Sequence, residues 1–187
     1  MNCTEKKESG KANTLADLVA EFLEQDGCCP RGEIKTFRGL KIQDAISKAA
    51  LARDENGNLF SHQWHFFNHP EVPPKAESIL LASVNEILAC KDFDALHALV
   101  KSKLQIPFAG ELYWYDTAFR IGISMGILPK TVYLHAGTKD GAMALGIYKG
   151  KDVLNMSDLP MELQTMAAHQ VEDFLCIKKD VLHKFKR

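Results

Sequence analysis

The sequence predicts a mainly α fold, a compact multi-helix single domain over residues 13–187 with at most one short strand pair. Two observations carry this. Five segments repeat apolar residues every three or four positions, the spacing that lines one face of an α-helix. No segment alternates apolar and polar residues long enough to demand a sheet, and TVYLHA (131–136) is the one plausible strand. A 187-residue chain with 46% hydrophobic and 25% charged residues has the composition of an ordinary globular domain with a sizeable core.

The elements follow in order. Residues 1–12 are polar and read as a disordered lead-in. Leu15, Leu18, Val19, Phe22 and Leu23 then recur at helical spacing, with Asn13 or Thr14 to cap the helix and Gly27 to stop it. CCPRGEIKTFRG (28–39) reads as a loop with a short extended piece. Ile42, Ala45, Ile46 and Ala49 share one face of a second helix, which Asn56-Gly57 is expected to end. LFSHQWHFFNHPEVPP (59–74) has no helical stripe and closes in prolines, so it reads as a loop or short irregular element.

Lys75 to Cys90 reads as one strong helix carrying Ile79, Leu80, Val84, Ile87 and Leu88. Asp92 to Leu104 is another, with Phe93, Leu96, Leu99 and Val100 inward, and Pro107 breaks it. A helix from about Glu111 to Ile127 follows, then a short one after Thr138. The stretch from Leu159 to Phe185 holds one or two more, punctuated by Pro160.

Charge and cysteine usage exclude several classes. A formal net charge of −1 does not advertise a nucleic acid or an acidic membrane; a local basic face remains at Lys178, Lys179, Lys184, Lys186 and Arg187. Five irregularly spaced cysteines give no disulfide framework, and a reducing cytoplasm is the expected location. Cys28-Cys29 before Pro30 reads as a turn with two thiols, with a redox pair as the alternative. No apolar run approaches the length of a membrane span, so no membrane partner is expected.

Candidate chemistry concentrates between Gly110 and Gly146. Ala118, Gly122 and Gly126 fall at i, i+4 and i+8, a face with almost no side chain, which suggests close approach of another helix or of a ligand. Asp116 and Arg120 are four apart with the acid first, the favourable order for a helix pair. Their spacing fits a partly exposed ion pair, or an aspartate held ionised at a pocket mouth. Tyr113, Trp114 and Tyr115 point around the helix, so at least one ring should reach solvent and stack on a base or sugar.

Further along, Gly137-Thr138 before a helix offers an N-cap hydroxyl and open N–H groups, and Lys139 adds positive charge. Together they suit an anionic small molecule. The Gly-x-x-x-x-Gly-Lys pattern of a phosphate loop is absent. His135 stands just upstream as a general base or as a packed core histidine.

Elsewhere the signals are thinner. His62, His65 and His69 would share a face only if their segment were helical, and no cysteine or aspartate nearby completes a ligand set, so no metal site is expected. Glu172-Asp173 reads as a solvated edge, with Phe174, Leu175 and Ile177 in the core. No Gly-x-Ser-x-Gly elbow and no cofactor motif occur.

GELYWYDTAFRIG (110–122), VYLHAGTKDGA (132–142) and VEDFLCIKK (171–179) resemble blocks shared by a group of bacterial proteins of unassigned function, over about Asp44 to Lys178. Ile106-Pro107-Phe108-Ala109-Gly110 is similar to the hairpin of helix-hairpin-helix proteins. YDTAFRIGISMGILP (115–129) resembles the aspartate-bearing helix of the DNA glycosylases of that class. The resemblance implies a helical fold, DNA as partner and Asp116 as catalytic acid. The iron–sulfur cysteines and lyase lysine of those enzymes have no counterpart here.

Two functions are therefore expected. One is a nucleic-acid-associated helical protein using the Pro107–Gly110 hairpin, Lys139 and exposed aromatics. The alternative is a small-molecule enzyme of hydrolase or lyase type. Its acid/base groups would be Asp116 and His135, with Arg120, Thr138, Lys139, Tyr115 and His62 contacting the ligand.

Overall fold

A computed structural model describes residues 12–25, 29–54 and 56–186. The expectations for residues 1–11, Gly27, Cys28 and Arg187 lie outside the described residues. The fold is mainly α with one two-stranded antiparallel sheet among the described residues. The chain divides into two compact units, one of residues 32–128 and one that joins the N-terminal stretch up to Arg31 with Pro129–Arg187. No linker-like run marks this division, so 13–187 reads as one domain in the sequence.

Cys29–Phe37 is a helix (α2) and not the expected loop, with its residues from Gly32 onward in the 32–128 unit. Pro30 is tolerated in its first turn, where a missing N–H breaks no helical bond. Only Ile34 and Phe37 supply an apolar face, too few to show a period; Phe37 is fully buried and Gly39 closes the turn at φ +79°. Ile42–Ala50 forms α3, with Ala45, Ile46, Ala49 and Ala50 buried. It stops six residues before Asn56-Gly57, because Ala52 takes a left-handed conformation at φ +52°. Asn56-Gly57 instead turns a small loop in which the Asp54 carboxylate accepts from the amides of Asn56 and Asn58.

The 59–74 segment is irregular as expected, a kinked 3₁₀ stretch over Ser61–Phe67. Its closing prolines have the opposite role to the one expected: Pro73 and Pro74 open α4 (Val72–Ala82). The expected single helix from 75 to 90 is two, α4 and α5 (Val84–Ala89), split at Ser83, whose hydroxyl donates to the Ile79 carbonyl. α6 (Phe93–Lys103) starts at Asp92, whose carboxylate accepts from the Ala95 amide. α7 (Glu111–Met125) ends at Gly126 in the left-handed conformation. Tyr113 on α7 donates its hydroxyl to the Ala50 carbonyl and meets Phe66 edge-on at 4.8 Å. Burial holds the Tyr113 phenol well above its ordinary range.

In the other unit, α1 (Leu15–Gln25) begins with a reciprocal cap. The Thr14 hydroxyl accepts from the Asp17 amide, and the Asp17 carboxylate accepts from the Thr14 amide. Strand β1 (Thr131–Tyr133) pairs antiparallel with β2 (Val153–Asn155) in the register Val132 to Leu154. At three residues, β2 is too short to show alternation. Helices α8 (Ala136–Leu145) and α9 (Ala168–Leu182) lie against each other. Their approach is close enough that a Cβ at Gly141 would sit 2.6 Å from the Leu175 carbonyl carbon. Leu18, Phe22, Val132, Leu154, Phe174 and Leu175 form the centre of this core, with Phe22 and Phe174 edge-to-face at 5.4 Å. Ile177, expected inside, is 44% exposed. No helix among the described residues is long and apolar enough to cross a membrane.

Candidate functional site

Two polar centres stand out, one in each unit. In the 32–128 unit the i, i+4 spacing on α7 brings Asp116 Oδ2 to 3.8 Å from Arg120 Nη2. The pair is not an exposed surface pair: Arg120 is fully buried, the largest such side chain among the described residues. Its main partner is Glu33 of α2, with Oε1 at 2.8 Å from Nη2 and 3.3 Å from Nε. Gln63 donates its amide to Asp116 Oδ2 at 2.7 Å, and the Phe60 ring lies 4.1 Å from the guanidinium carbon. Burial works against the Arg120 charge, but the Glu33 and Asp116 carboxylates outweigh it and hold the guanidinium above its ordinary range.

The neighbours of this centre differ from expectation. Tyr115 is buried between Phe93 and Phe119, so its ring is not offered to a base. Trp114 is half-buried, donates Nε1–H to the Leu104 carbonyl and lies under the Lys101 ammonium. The glycine face is a feature of the chain's own turn. Gly126 is the helix cap, with nothing within 4 Å of a Cβ placed there. A Cβ at Gly122 would strike the carbonyl oxygen of Ile127, whose amide donates back to Gly122 at 2.9 Å. His62 stands in the 3₁₀ stretch and its side chain lies outside the described residues. His65 tilts against Phe66, and His69 stacks on Phe108 at 3.6 Å.

In the second unit, His135 is the N-cap position of α8, and its ring Nε2 lies 3.1 Å from Glu172 Oε1 on α9. Thr138 is not the cap expected of it. It is fully buried inside the first turn, its amide donating to the His135 carbonyl and its hydroxyl to the same Glu172 oxygen at 2.7 Å. His135 and Glu172 keep 6% and 8% of their surface exposed. Between His135 and Gly137, Ala136 is held at φ +29°, a costly conformation for a residue with a Cβ. A Cβ at Gly137 would lie 2.7 Å from Cys176 Sγ and 3.6 Å from Lys179 Nζ, so the Cys176 side chain would have to shift to admit one. Lys139 extends over the Tyr148 ring at 5.0 Å.

The arrangement has chemical consequences. A carboxylate beside an imidazole orients the ring and stabilises its protonated form, the relation a general acid/base requires. The hydroxyl of Thr138 fixes the carboxylate in turn. The amides of Ala136 and Gly137 precede the first helical hydrogen bond, so they sit at the positive end of the α8 dipole.

Glu172 and Glu33 are the members that sequence reasoning missed. Glu172 shares a helix face with Ala168 and Leu175, and that spacing was the available signal. Glu33 was hidden by reading α2 as a loop. Of the predicted site residues, the structure brings Asp116 together with Arg120 in one unit, and His135 together with Thr138 in the other. No family model, curated protein or solved structure matches this chain.

Proposed function

We propose that the protein is a small-molecule enzyme whose acid/base group is His135, acting on an anionic substrate at the first turn of α8. The observation that carries this reading is the cluster of His135, Glu172 and Thr138: the ring nitrogen lies at ion-pair distance, 3.1 Å, from the Glu172 carboxylate, which accepts the buried Thr138 hydroxyl at 2.7 Å. Such a buried pair costs desolvation and is retained more readily where the proton has a use. The strained Ala136 beside it supports the same end of the helix.

In this reading His135 takes a proton from water or from the substrate, and Glu172 stabilises the imidazolium that forms. Thr138 acts as a positioning residue. The Ala136 and Gly137 amides and the Lys179 ammonium receive the anionic group. Asp116, whose carboxylate serves Arg120 and Gln63, carries no step. The reaction class is hydrolytic or eliminative.

Thermal-shift titration with small carboxylates and phosphomonoesters tests the binding half. A saturable rise in Tm that disappears in Lys179→Ala is expected. No rise with any member of either class contradicts it.

One observation favours a second reading, association with single-stranded nucleic acid. In the hairpin between α6 and α7, Phe108 takes φ +68°, is 59% exposed and stacks on His69. An exposed ring supported from behind is a platform for a base. The surrounding charge speaks less for it, since Lys101 beside the hairpin is paired with Glu111 at 3.5 Å. Oligonucleotide binding that falls with salt and is lost in Phe108→Ala would support this reading.

A further inference from the structure

Cys176 of α9 is a thiol that the proposed mechanism does not use. Helical spacing puts Glu172, Cys176 and Lys179 on one face of α9, the face that meets the first turn of α8. Glu172 reaches His135 and Thr138 there, and Cys176 reaches Gly137. The missing Cβ of Gly137 leaves room for the sulfur: a Cβ built there would lie 2.7 Å from Sγ, and the same point is 3.6 Å from Lys179 Nζ. Thiol and ammonium stand side by side at the α8 N-terminus.

Positive charge collects at this corner. Lys179 forms no ion pair among the described residues, and its ammonium is held against the positive end of the α8 dipole. The Glu172 carboxylate, one turn away, is engaged by His135 and Thr138, and Asp180 is exposed to water, where a charge counts for less. Two positive groups brought together favour an anion beside them. Ala136 is exposed, and Gly137, Cys176 and Lys179 are partly exposed, so the corner is reached from solvent.

We infer that Cys176 reacts covalently with a small carboxylate that carries a leaving group on the adjacent carbon, the carboxylate being held by Lys179 and the Ala136 and Gly137 amides. Sγ attacks that carbon. The S–C bond forms, the leaving group departs with its bonding pair, and the thiol proton passes to water. The inference rests on the reading that the first turn of α8 receives an anion, and it adds a nucleophile to that site.

The test uses the full chain and two probes, iodoacetate and the neutral iodoacetamide, with labelling of each cysteine followed by peptide mass spectrometry. Cys90 is the internal reference. Its sulfur lies 3.5 Å from the Glu86 carbonyl, and burial with the Asp92 and Glu86 carboxylates pushes its thiol up. The ratio of iodoacetate to iodoacetamide rates is expected to be about tenfold higher at Cys176 than at Cys90, the scale of local electrostatic attraction. In Lys179→Ala the ratio at Cys176 should fall to that of Cys90. Should that variant not fold, the ratio in the unsubstituted protein decides alone. No labelling of Cys176 by either probe overturns the inference and leaves the anion reading standing. Labelling by both without preference overturns the two together, and a preference that persists without Lys179 overturns the inference.

Discussion

Glu33 and Arg120 are 87 residues apart in sequence and meet at 2.8 Å, closing the only charged centre among the described residues whose cation is wholly buried. The guanidinium has lost all its water, so the carboxylate is the condition of its burial. Removing this main partner leaves Asp116, at 3.8 Å, as the carboxylate facing the buried guanidinium, and losing a partner of a buried charge costs up to about 3–5 kcal/mol. Glu33→Gln is therefore expected to lower stability by about 3 kcal/mol in urea unfolding, with an unchanged m-value. Glu111→Gln, which breaks the exposed pair with Lys101, should cost no more than about 0.5 kcal/mol. Equal effects of the two would show that the Arg120 centre is solvated.

The contact between α8 and α9 makes a second prediction. A methyl group at Gly141 runs into backbone atoms of Leu175, which no side-chain rotation relieves. Gly141→Ala should destabilise by about 2–3 kcal/mol, the upper range of overpacking. Gly32→Ala is the opposite case: it lies within α2 and nothing stands within 4 Å of the new Cβ. That change should stabilise by about 0.5–1 kcal/mol through the helix preference of alanine. Melting curves of the two variants check both signs.

His169, buried on α9, gives a pH prediction. Desolvation lowers its pKa below the ordinary 6.5, so the folded protein holds the ring neutral where the unfolded chain protonates it. The unfolded state then binds the extra proton, and stability must fall as pH drops below about 6.5. Above that pH both states are neutral and the residue contributes no slope. His169→Gln should flatten the loss between pH 6.5 and the depressed folded value, by up to about 1.4 kcal/mol per pH unit. An unchanged slope in the variant would place the acid sensitivity elsewhere.

The helices with long apolar stripes were legible in the sequence. Phe93, Leu96 and Val100 turn inward as their spacing predicts, and Asp92 caps them. What escaped has physical causes. Among the described side chains of α2 only Phe37 is fully buried, so no period develops. Pro73 and Pro74 signal a break equally well as the end of a loop or the start of a helix, and here they start one.

At the candidate site, Gly137-Thr138 imitates a helix start, yet the cap of α8 is His135, three residues before Thr138, and Ala136 opens the helix at φ +29°. Glu172 was misread because adjacent carboxylates look solvated, while α9 turns only one of them toward His135. Asp116 and Arg120 were recognised as a pair from spacing alone. Their burial depends on Glu33, a contact that no local pattern encodes.

The proton-transfer role of His135 is the central claim, and turnover tests it most directly. Parent protein, His135→Gln and Glu172→Gln would be incubated with mixtures of small carboxylic and phosphoric esters, and consumption followed by proton NMR. The account predicts that the parent consumes at least one ester. His135→Gln should slow that reaction about 10²–10⁴-fold, the usual contribution of a positioned acid/base, while its melting temperature stays close to the parent's. Glu172→Gln should slow it less, because the ring remains but loses its orienting carboxylate. Absence of turnover by the parent, or equal rates for the parent and a folded His135→Gln, would contradict the account.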